Sequence, residues 1–272
     1  MRLTLPRLFV AASLLVATSL AGARAAEVAP DPALQQAIDS PLRSPKFVAR
    51  DAVRHPAAEL TFFGLRPDAT VVEVWPGGGY WSEILAPYLH GYGTYFVALP
   101  GGADAEKEAA AFRARMAAIP ALFRRVKLTE LAAGSTEVAP PGTADLVLTF
   151  RNVHNWMDGG YADEAFKAFY RALKPGGILG VEEHRGLNDK PQDPKAADGY
   201  VRQDYTIALA RKAGLELVGS SEIDANPKDT KTYPQGVWTL PPSFALGDKD
   251  RAKYAAIGEA DNFVLKFRKP LR

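Results

Sequence analysis

The chain has 272 residues, with 33 lysines and arginines against 31 acidic residues and no cysteine. The near balance of charge and the lack of a basic run argue against a nucleic-acid partner. Without cysteine the chain has no disulfide framework, no thiolate nucleophile and no cysteine-ligated zinc.

The first 25 residues predict a secretory signal peptide. Arg2 and Arg7 precede an uncharged apolar stretch at 8–20, and the small residues that follow fit cleavage after Ala25. A bilayer-spanning helix needs roughly 20 apolar residues, so we expect no stable membrane insertion after cleavage and a periplasmic or secreted protein. Cleavage removes three arginines and no acidic residue, which changes the net charge from +2 to −1. An uncleaved N-terminal anchor is the alternative.

Residues 26–65 predict a helical extension, because Leu34, Ile38 and Leu42 recur at helical spacing. Strand and helix patterns then alternate along the chain. The predicted strands are 70–74, 94–99, 125–128, 145–150, 178–181, 215–220 and 262–267, and the predicted helices are 80–89, 105–118, 162–173 and 201–213. This alternation predicts an α/β fold with a doubly wound, mostly parallel, Rossmann-like sheet in a single domain over 66–272.

Residues 223–260 break the alternation. They contain Asn226-Pro227, Tyr233-Pro234 and Pro241-Pro242, which predict irregular structure. Connections of this length are usually functional or disordered, and the aromatic residues of this one favour packing. We therefore predict a lid over a site.

A glycine loop follows the first predicted strand. The sequence Val71 to Gly79, VVEVWPGGG, places an acid at the strand end and a glycine turn before a helix. Such a turn brings backbone N–H groups and a helix N-terminus close to a ligand. A purely structural turn is the alternative. Ser82 stands where a dinucleotide fingerprint needs glycine or alanine, which makes a nicotinamide-dependent oxidoreductase the weaker interpretation.

Further phrases extend this pattern. They are RHPAAELTFFGL, VVEVWPGGGYWSEILAPYL, FRNVHNW, LKPGGILGVEEHR, SSEIDANPKDT and GVWTLPP. With them the chain resembles class I S-adenosylmethionine-dependent methyltransferases, and more closely a family of exported predicted methyltransferases. The resemblance implies S-adenosylmethionine as cofactor. The cofactor-binding residues that it implies are Glu73, Trp75, Gly77, Gly78 and Gly79.

Three positions depart from the superfamily pattern. Trp75 replaces the first loop glycine, so its side chain must either cover the ligand or fill part of its pocket. Residues 99–101 carry no acid where the superfamily often binds the ribose hydroxyls, and Ser135 stands where an aspartate often meets the adenine amine. A catalytically inactive exported binding protein that keeps the fold is therefore the alternative to a methyltransferase.

Polar residues follow the fourth predicted strand, where ligands collect in such sheets. We predict His154 as a general base acting on a small-molecule substrate, because the pKa of an imidazole lies near neutrality. Asn152, Asn155 and Trp156 are candidate substrate-binding residues. The alternative is that the asparagines form turn hydrogen bonds, Trp156 lies in the core and His154 is a satisfied neighbour.

A second polar cluster, Glu182 to Arg185, follows the fifth predicted strand. We favour a structural ion pair here over catalysis. The four histidines show no paired-ligand spacing, so no metal site is predicted. A site shared by His154 and His184 with Glu182 or Glu183 is the weaker alternative.

Overall fold

The computed structural model of the protein describes residues 31–102 and 105–272, so the predicted signal peptide lies outside the described residues. A seven-stranded sheet forms its centre. The strands are β1 (Thr70–Val74), β2 (Thr94–Pro100), β3 (Lys127–Leu131), β4 (Ala144–Phe150), β5 (Leu173–His184), β6 (Glu216–Ser221) and β7 (Asn262–Arg268). Their order is β3-β2-β1-β4-β5-β7-β6, and β7 runs antiparallel to both its neighbours while the other pairs are parallel. The predicted doubly wound, mostly parallel sheet is confirmed.

Helices cover both faces of this sheet. They are α1 (Pro32–Ile38), α2 (Pro45–Val48), α3 (Asp51–Arg54), α4 (Pro56–Phe63), α5 (Ser82–Leu89), α6 (Glu106–Ala118), α7 (Pro120–Phe123), α8 (Val153–Asp158), α9 (Ala162–Ala172), α10 (Gln203–Lys212) and α11 (Arg251–Ile257). The central strands β1 and β4 are almost wholly apolar and buried, as expected for parallel strands covered on both sides.

Two apolar cores follow from the alternation of side chains along these strands. Val72 and Val74 face the core that contains Phe166 and Phe169 of α9. Val71 faces the opposite core, which contains α1, α4, α5 and α6. Each face of the sheet is therefore buried under helices.

The strand order places a crevice at the carboxyl ends of β1 and β4. The chain runs outward from β1 through β2 to β3, and on the other side from β4 to β5. Where the direction of winding reverses between two neighbouring strands, their loops diverge and leave room for a ligand. The loops after β1 and β4 are those in which the sequence analysis placed the candidate residues.

The structure changes some of the predicted element boundaries. The fifth strand begins at Leu173 rather than Ile178, because Leu173 already pairs with Ala144 and the LKPGG phrase forms an irregularity within β5. The polar stretch after β4 forms a helix, α8, which Asn152 precedes in a non-helical conformation.

Residues 223–260 contain a 3-10 helix (Gly236–Thr239) and α11. A small apolar cluster that includes Val237, Leu240 and Tyr254 packs this segment against Tyr200. Among the described residues, no helix is long and apolar enough to cross a membrane.

Candidate active site

The glycine loop connects β1 to α5 through residues with left-handed backbone conformation. Gly77 has φ 53° and Gly79 has φ 87°. A residue with a side chain adopts such positive φ values only at a free-energy cost. Trp75 has φ 52° without being a glycine, an uncommon conformation for a bulky residue that tends to persist at functional sites. Gly77 and Gly78 line a cavity at the carboxyl edge of the sheet.

The cavity measures about 330 Å³ and is enclosed by four parts of the chain. These are the N-terminal helices α2 and α3, the glycine loop, the ends of β4 and β5 with the start of α8, and the segment 223–260. The last contributes Val237, Trp238, Pro241, Pro242, Ser243, Glu259 and Ala260. This segment therefore forms one wall of the cavity, and its action as a lid stays a prediction.

Glu73 is a buried carboxyl on the cavity wall, 1% exposed. Its Oε2 accepts hydrogen bonds from Ser82 Oγ, at 2.6 Å, and from the Tyr95 hydroxyl. Its Oε1 is shielded from water and has no hydrogen-bond partner among the described residues. Burial raises the pKa of Glu73 to about 7, although both hydrogen bonds favour the charged form. A cationic group of a ligand would satisfy the free oxygen and favour that charged form.

His154 and Glu183 form a hydrogen-bonded pair on the other side of the cavity. His154 Nδ1 lies 3.0 Å from Glu183 Oε1, and both residues are buried. The same carboxyl accepts the peptide N–H of His184 at 2.8 Å and that of His154 at 3.3 Å. Burial raises the pKa of Glu183, but the attraction of the His154 ring, its hydrogen bond and the hydrogen bond from the peptide N–H of His184 hold that pKa below its ordinary value.

An anionic Glu183 holds a proton on His154 Nδ1. Nε2 then carries the lone pair, and His154 lines the cavity. A carboxylate that orients an imidazole and stabilises its cationic form is the arrangement required of a general base.

His184 lies beside this pair, with ring centroids 5.5 Å apart. Asn262 Nδ2 donates to Glu182 Oε1 at 2.9 Å, so Asn262 Oδ1 accepts from His184 Nδ1 at 2.8 Å. Burial, with the nearby Arg151, lowers the pKa of His184 to about 3 against the effect of Glu183. His184 is therefore a neutral ring whose Nε2 can accept a hydrogen bond.

Trp75 occupies the space next to the ends of β2 and β3. Its indole Nε1 donates to the carbonyl of Leu131 at 3.0 Å, and its ring meets Trp156 edge to face at 6.1 Å. No residue of β2, of β3 or of 132–135 lines the cavity in the described chain. Trp75 itself lines the cavity, and its indole fills the space between the glycine loop and the end of β3.

The remaining predicted residues divide into two groups. Asn152 lines the cavity, and its Nδ2 donates to the carbonyls of Val74 and Trp75, at 3.0 and 3.2 Å, so it braces the glycine loop. The structure does not bring Asn155 and Trp156 to the cavity. Asn155 is exposed on α8, and Trp156 is wholly buried in the core, as the alternative interpretation expected. Gly79 also lies behind the cavity wall.

Sequence reasoning missed the surroundings of two residues that the fold makes prominent. Glu183, expected in a structural ion pair, lies behind the cavity wall, and its pairing with His154 depends on the adjacency of β4 and β5. Arg54 begins the phrase RHPAAELTFFGL, and no periodicity or spacing marks it as a ligand-facing residue. Within the described chain, no cluster of three or more His, Asp or Glu side chains has the arrangement of a metal site.

The chain is similar in fold to solved structures of other proteins. No protein-family model matches the chain, and no curated protein matches it in sequence. A SAM-dependent methyltransferase from Aquifex aeolicus superposes with a TM-score of 0.55 over 88% of this chain and 98% of that chain, at 15% identity. The [4+2]-cyclase SpnF superposes with a TM-score of 0.55 over 86% of this chain and 85% of its own, at 19% identity. The chain therefore has the fold of the class I S-adenosylmethionine-dependent methyltransferases.

Proposed function

We propose that the protein transfers a methyl group from S-adenosylmethionine to a small-molecule acceptor, with His154 as general base. One observation carries the proposal. Glu73 and the glycine loop, which follow β1, and His154, which follows β4, line the same cavity of about 330 Å³. A donor site and a base that share one cavity fit a two-substrate transfer.

The residues around Glu73 fit the amino-acid half of the donor. The free Oε1 of Glu73 is a partner for an ammonium group, and the glycines allow close approach of a ligand to the backbone. The nucleoside half fits once the Trp75 indole turns away from the carbonyl of Leu131. When bound, the donor supplies an electrophilic methyl group on a sulfonium.

On the acceptor side, His154 Nε2 removes the proton from a hydroxyl or amine as that atom becomes the nucleophile. Glu183 stabilises the imidazolium that results, because its carboxylate stays ionised and accepts a hydrogen bond from Nδ1–H. Transfer of a methyl group depends chiefly on the alignment of donor and acceptor. Asn152 holds the glycine loop in place, and Trp238 packs against His154 with ring centroids 6.0 Å apart. Both contacts restrict that alignment.

A binding protein that keeps the fold without methyl transfer is the second candidate. The position of Trp75 favours it, because the indole stands where the resemblance implies the nucleoside. The chain is also similar in fold to a cyclase, and the fold alone therefore does not determine which reaction a protein catalyses.

Calorimetric titration of residues 26–272 with S-adenosylhomocysteine tests the proposal. We expect saturable binding at one site, weakened in Glu73→Gln because the neutral amide cannot pair with an ammonium group. If the wild type, Trp75→Gly and Glu73→Gln all show no heat of binding at millimolar ligand, S-adenosylmethionine is excluded as the cofactor. The second candidate, a binding protein without methyl transfer, would then remain.

We also propose that the protein acts outside the cytoplasm. Support comes from the composition of residues 1–25, with two arginines before an uncharged apolar stretch. Mass spectrometry of the protein from a secretion-competent host should give an N-terminus at Ala26. An intact Met1 in the membrane fraction would indicate an uncleaved anchor instead.

A further inference from the structure

Three arginines line the cavity, and two of them donate hydrogen bonds to acidic side chains. Arg50 Nε donates to Glu259 at 2.6 Å, and Arg151 Nη1 donates to Glu182 at 3.2 Å. The guanidinium of the third, Arg54, donates no hydrogen bond in the described part of the chain. The cavity therefore contains one cation whose donors the protein leaves free.

Arg54 is buried and held in place. It is 7% exposed, and its guanidinium carbon lies 4.5 Å from the centroid of the Tyr80 ring, a cation–π arrangement. Tyr80 is itself fixed by a hydrogen bond of 2.6 Å to Asp51. The nearest carboxylate oxygen, on Glu259, lies 3.7 Å from Arg54 Nε and is already shared with Arg50. A buried, preorganised guanidinium that makes no hydrogen bond, and whose one carboxylate neighbour is shared with another arginine, is suited to bind an anionic ligand.

The electrostatics of Arg54 agree with this geometry. Burial lowers its pKa to about 9, and the like charges of Arg151 and Arg50 lower it further than Glu182 and Glu259 raise it. Arg54 packs on Tyr80, which directly follows the glycine loop, and its pKa responds to Arg151 and Glu182 at the ends of β4 and β5. Arg54 therefore lies near both sides of the cavity, where a carboxylate of either substrate can reach it.

We propose that Arg54 binds a carboxylate of the acceptor, so that the substrates are small carboxylic acids that carry a hydroxyl or amine within reach of His154. The identification of this ligand as an acceptor rests on the proposed function, whereas the anion site does not. One unmatched positive charge beside Glu259 suits a monoanion, because a phosphate dianion would meet the repulsion of that carboxylate. Tyr80, Trp81, Phe150 and Trp238 also line the cavity, which favours an aromatic acid.

Calorimetry with two matched probes tests the proposal. The probes are 4-hydroxybenzoate and its neutral counterpart 4-hydroxybenzamide, and inorganic phosphate serves as the dianionic comparison. We expect the wild type to bind the carboxylate at least about tenfold more tightly than the amide, and more tightly than phosphate. Arg54→Met should abolish the preference and Arg54→Lys should retain part of it. Arg211→Met, which removes an exposed arginine of α10, should leave the preference unchanged.

Several results would overturn the proposal. Equal affinity of the wild type for both probes, failure to bind either probe, or an undiminished preference in Arg54→Met would each do so. Should Arg54→Met fail to fold, the wild-type preference and its reduction in Arg54→Lys decide the question.

A titration with S-adenosylhomocysteine separates the acceptor from the donor as the source of the carboxylate. Equal affinity of the wild type and Arg54→Met for this ligand assigns the carboxylate to the acceptor. A parallel loss of its affinity in Arg54→Met, with no carboxylate preference in the wild type, assigns it to the donor and overturns the proposal. Carboxylate binding without any binding of S-adenosylhomocysteine would refute the proposed methyl transfer and leave the Arg54 site standing.

Discussion

Replacement of Trp75 by glycine should tighten the binding of S-adenosylhomocysteine. The indole is held by one hydrogen bond to Leu131 and one edge-to-face contact with Trp156. Each interaction contributes about 0.5–1.5 kcal/mol, so displacement of the indole by a nucleoside requires about 1–3 kcal/mol. That free energy reduces the apparent affinity of the wild type by a factor of about 5–150.

Glycine removes this penalty and is well suited to the backbone at φ 52°. Calorimetric titration of both proteins should therefore show an affinity about 5- to 150-fold higher for Trp75→Gly. Trp75→Phe, which keeps an aromatic ring but loses the hydrogen bond to Leu131, is the matched control and should be intermediate. If Trp75→Gly binds more weakly than the wild type, the indole stacks on the nucleoside, and the reasoning that it fills the nucleoside position is refuted.

Three further substitutions test other parts of the site. His154→Gln should lower the turnover number by about 10²- to 10⁴-fold while leaving the affinity for S-adenosylhomocysteine unchanged, as separate kinetic and binding assays would show. Glu183→Gln should lower turnover by about 10²-fold or more, because the imidazolium loses its carboxylate; an unchanged rate would remove Glu183 from the mechanism. Glu73 has a pKa of about 7 in the folded protein against about 4.3 in an unfolded chain, so its contribution to stability is present below about pH 4 and is lost as the pH rises through about 7. Urea unfolding should therefore show that Glu73→Gln matches the wild type near pH 4 and exceeds it by up to about 3 kcal/mol at pH 8, whereas a difference independent of pH would contradict the raised pKa.

The fold was predictable because its information is local. The apolar runs of β1 and β4, the glycine loop and the helical spacing of α9 each lie within a short stretch of sequence, and together they define a doubly wound sheet. The start of β5 was missed because Leu173-Lys174-Pro175-Gly176-Gly177 has the composition of a turn, and the pairing of Leu173 with Ala144 overrides it.

The site was predictable only where one loop carries it. Glu73 lies near the end of β1 and His154 in the helix that follows β4, and the sequence indicates their side of the sheet. The pairing of His154 with Glu183 and the surroundings of Arg54 depend on contacts between distant segments, as does the hydrogen bond of Trp75 to Leu131. The placement of Trp156 in the core follows from the formation of α8, which the polar sequence around it conceals.

Transfer of a radioactive methyl group from S-adenosylmethionine tests the central claim most directly. Residues 26–272 would be incubated with the labelled donor and a panel of phenols, amines and aromatic hydroxy acids, and the label in each acceptor would be counted. We predict transfer by the wild type to at least one hydroxy acid of the panel and a loss of about 10²-fold or more in His154→Gln. Equal transfer by His154→Gln, or no transfer to any member of the panel by a wild type that binds the donor, would contradict the account.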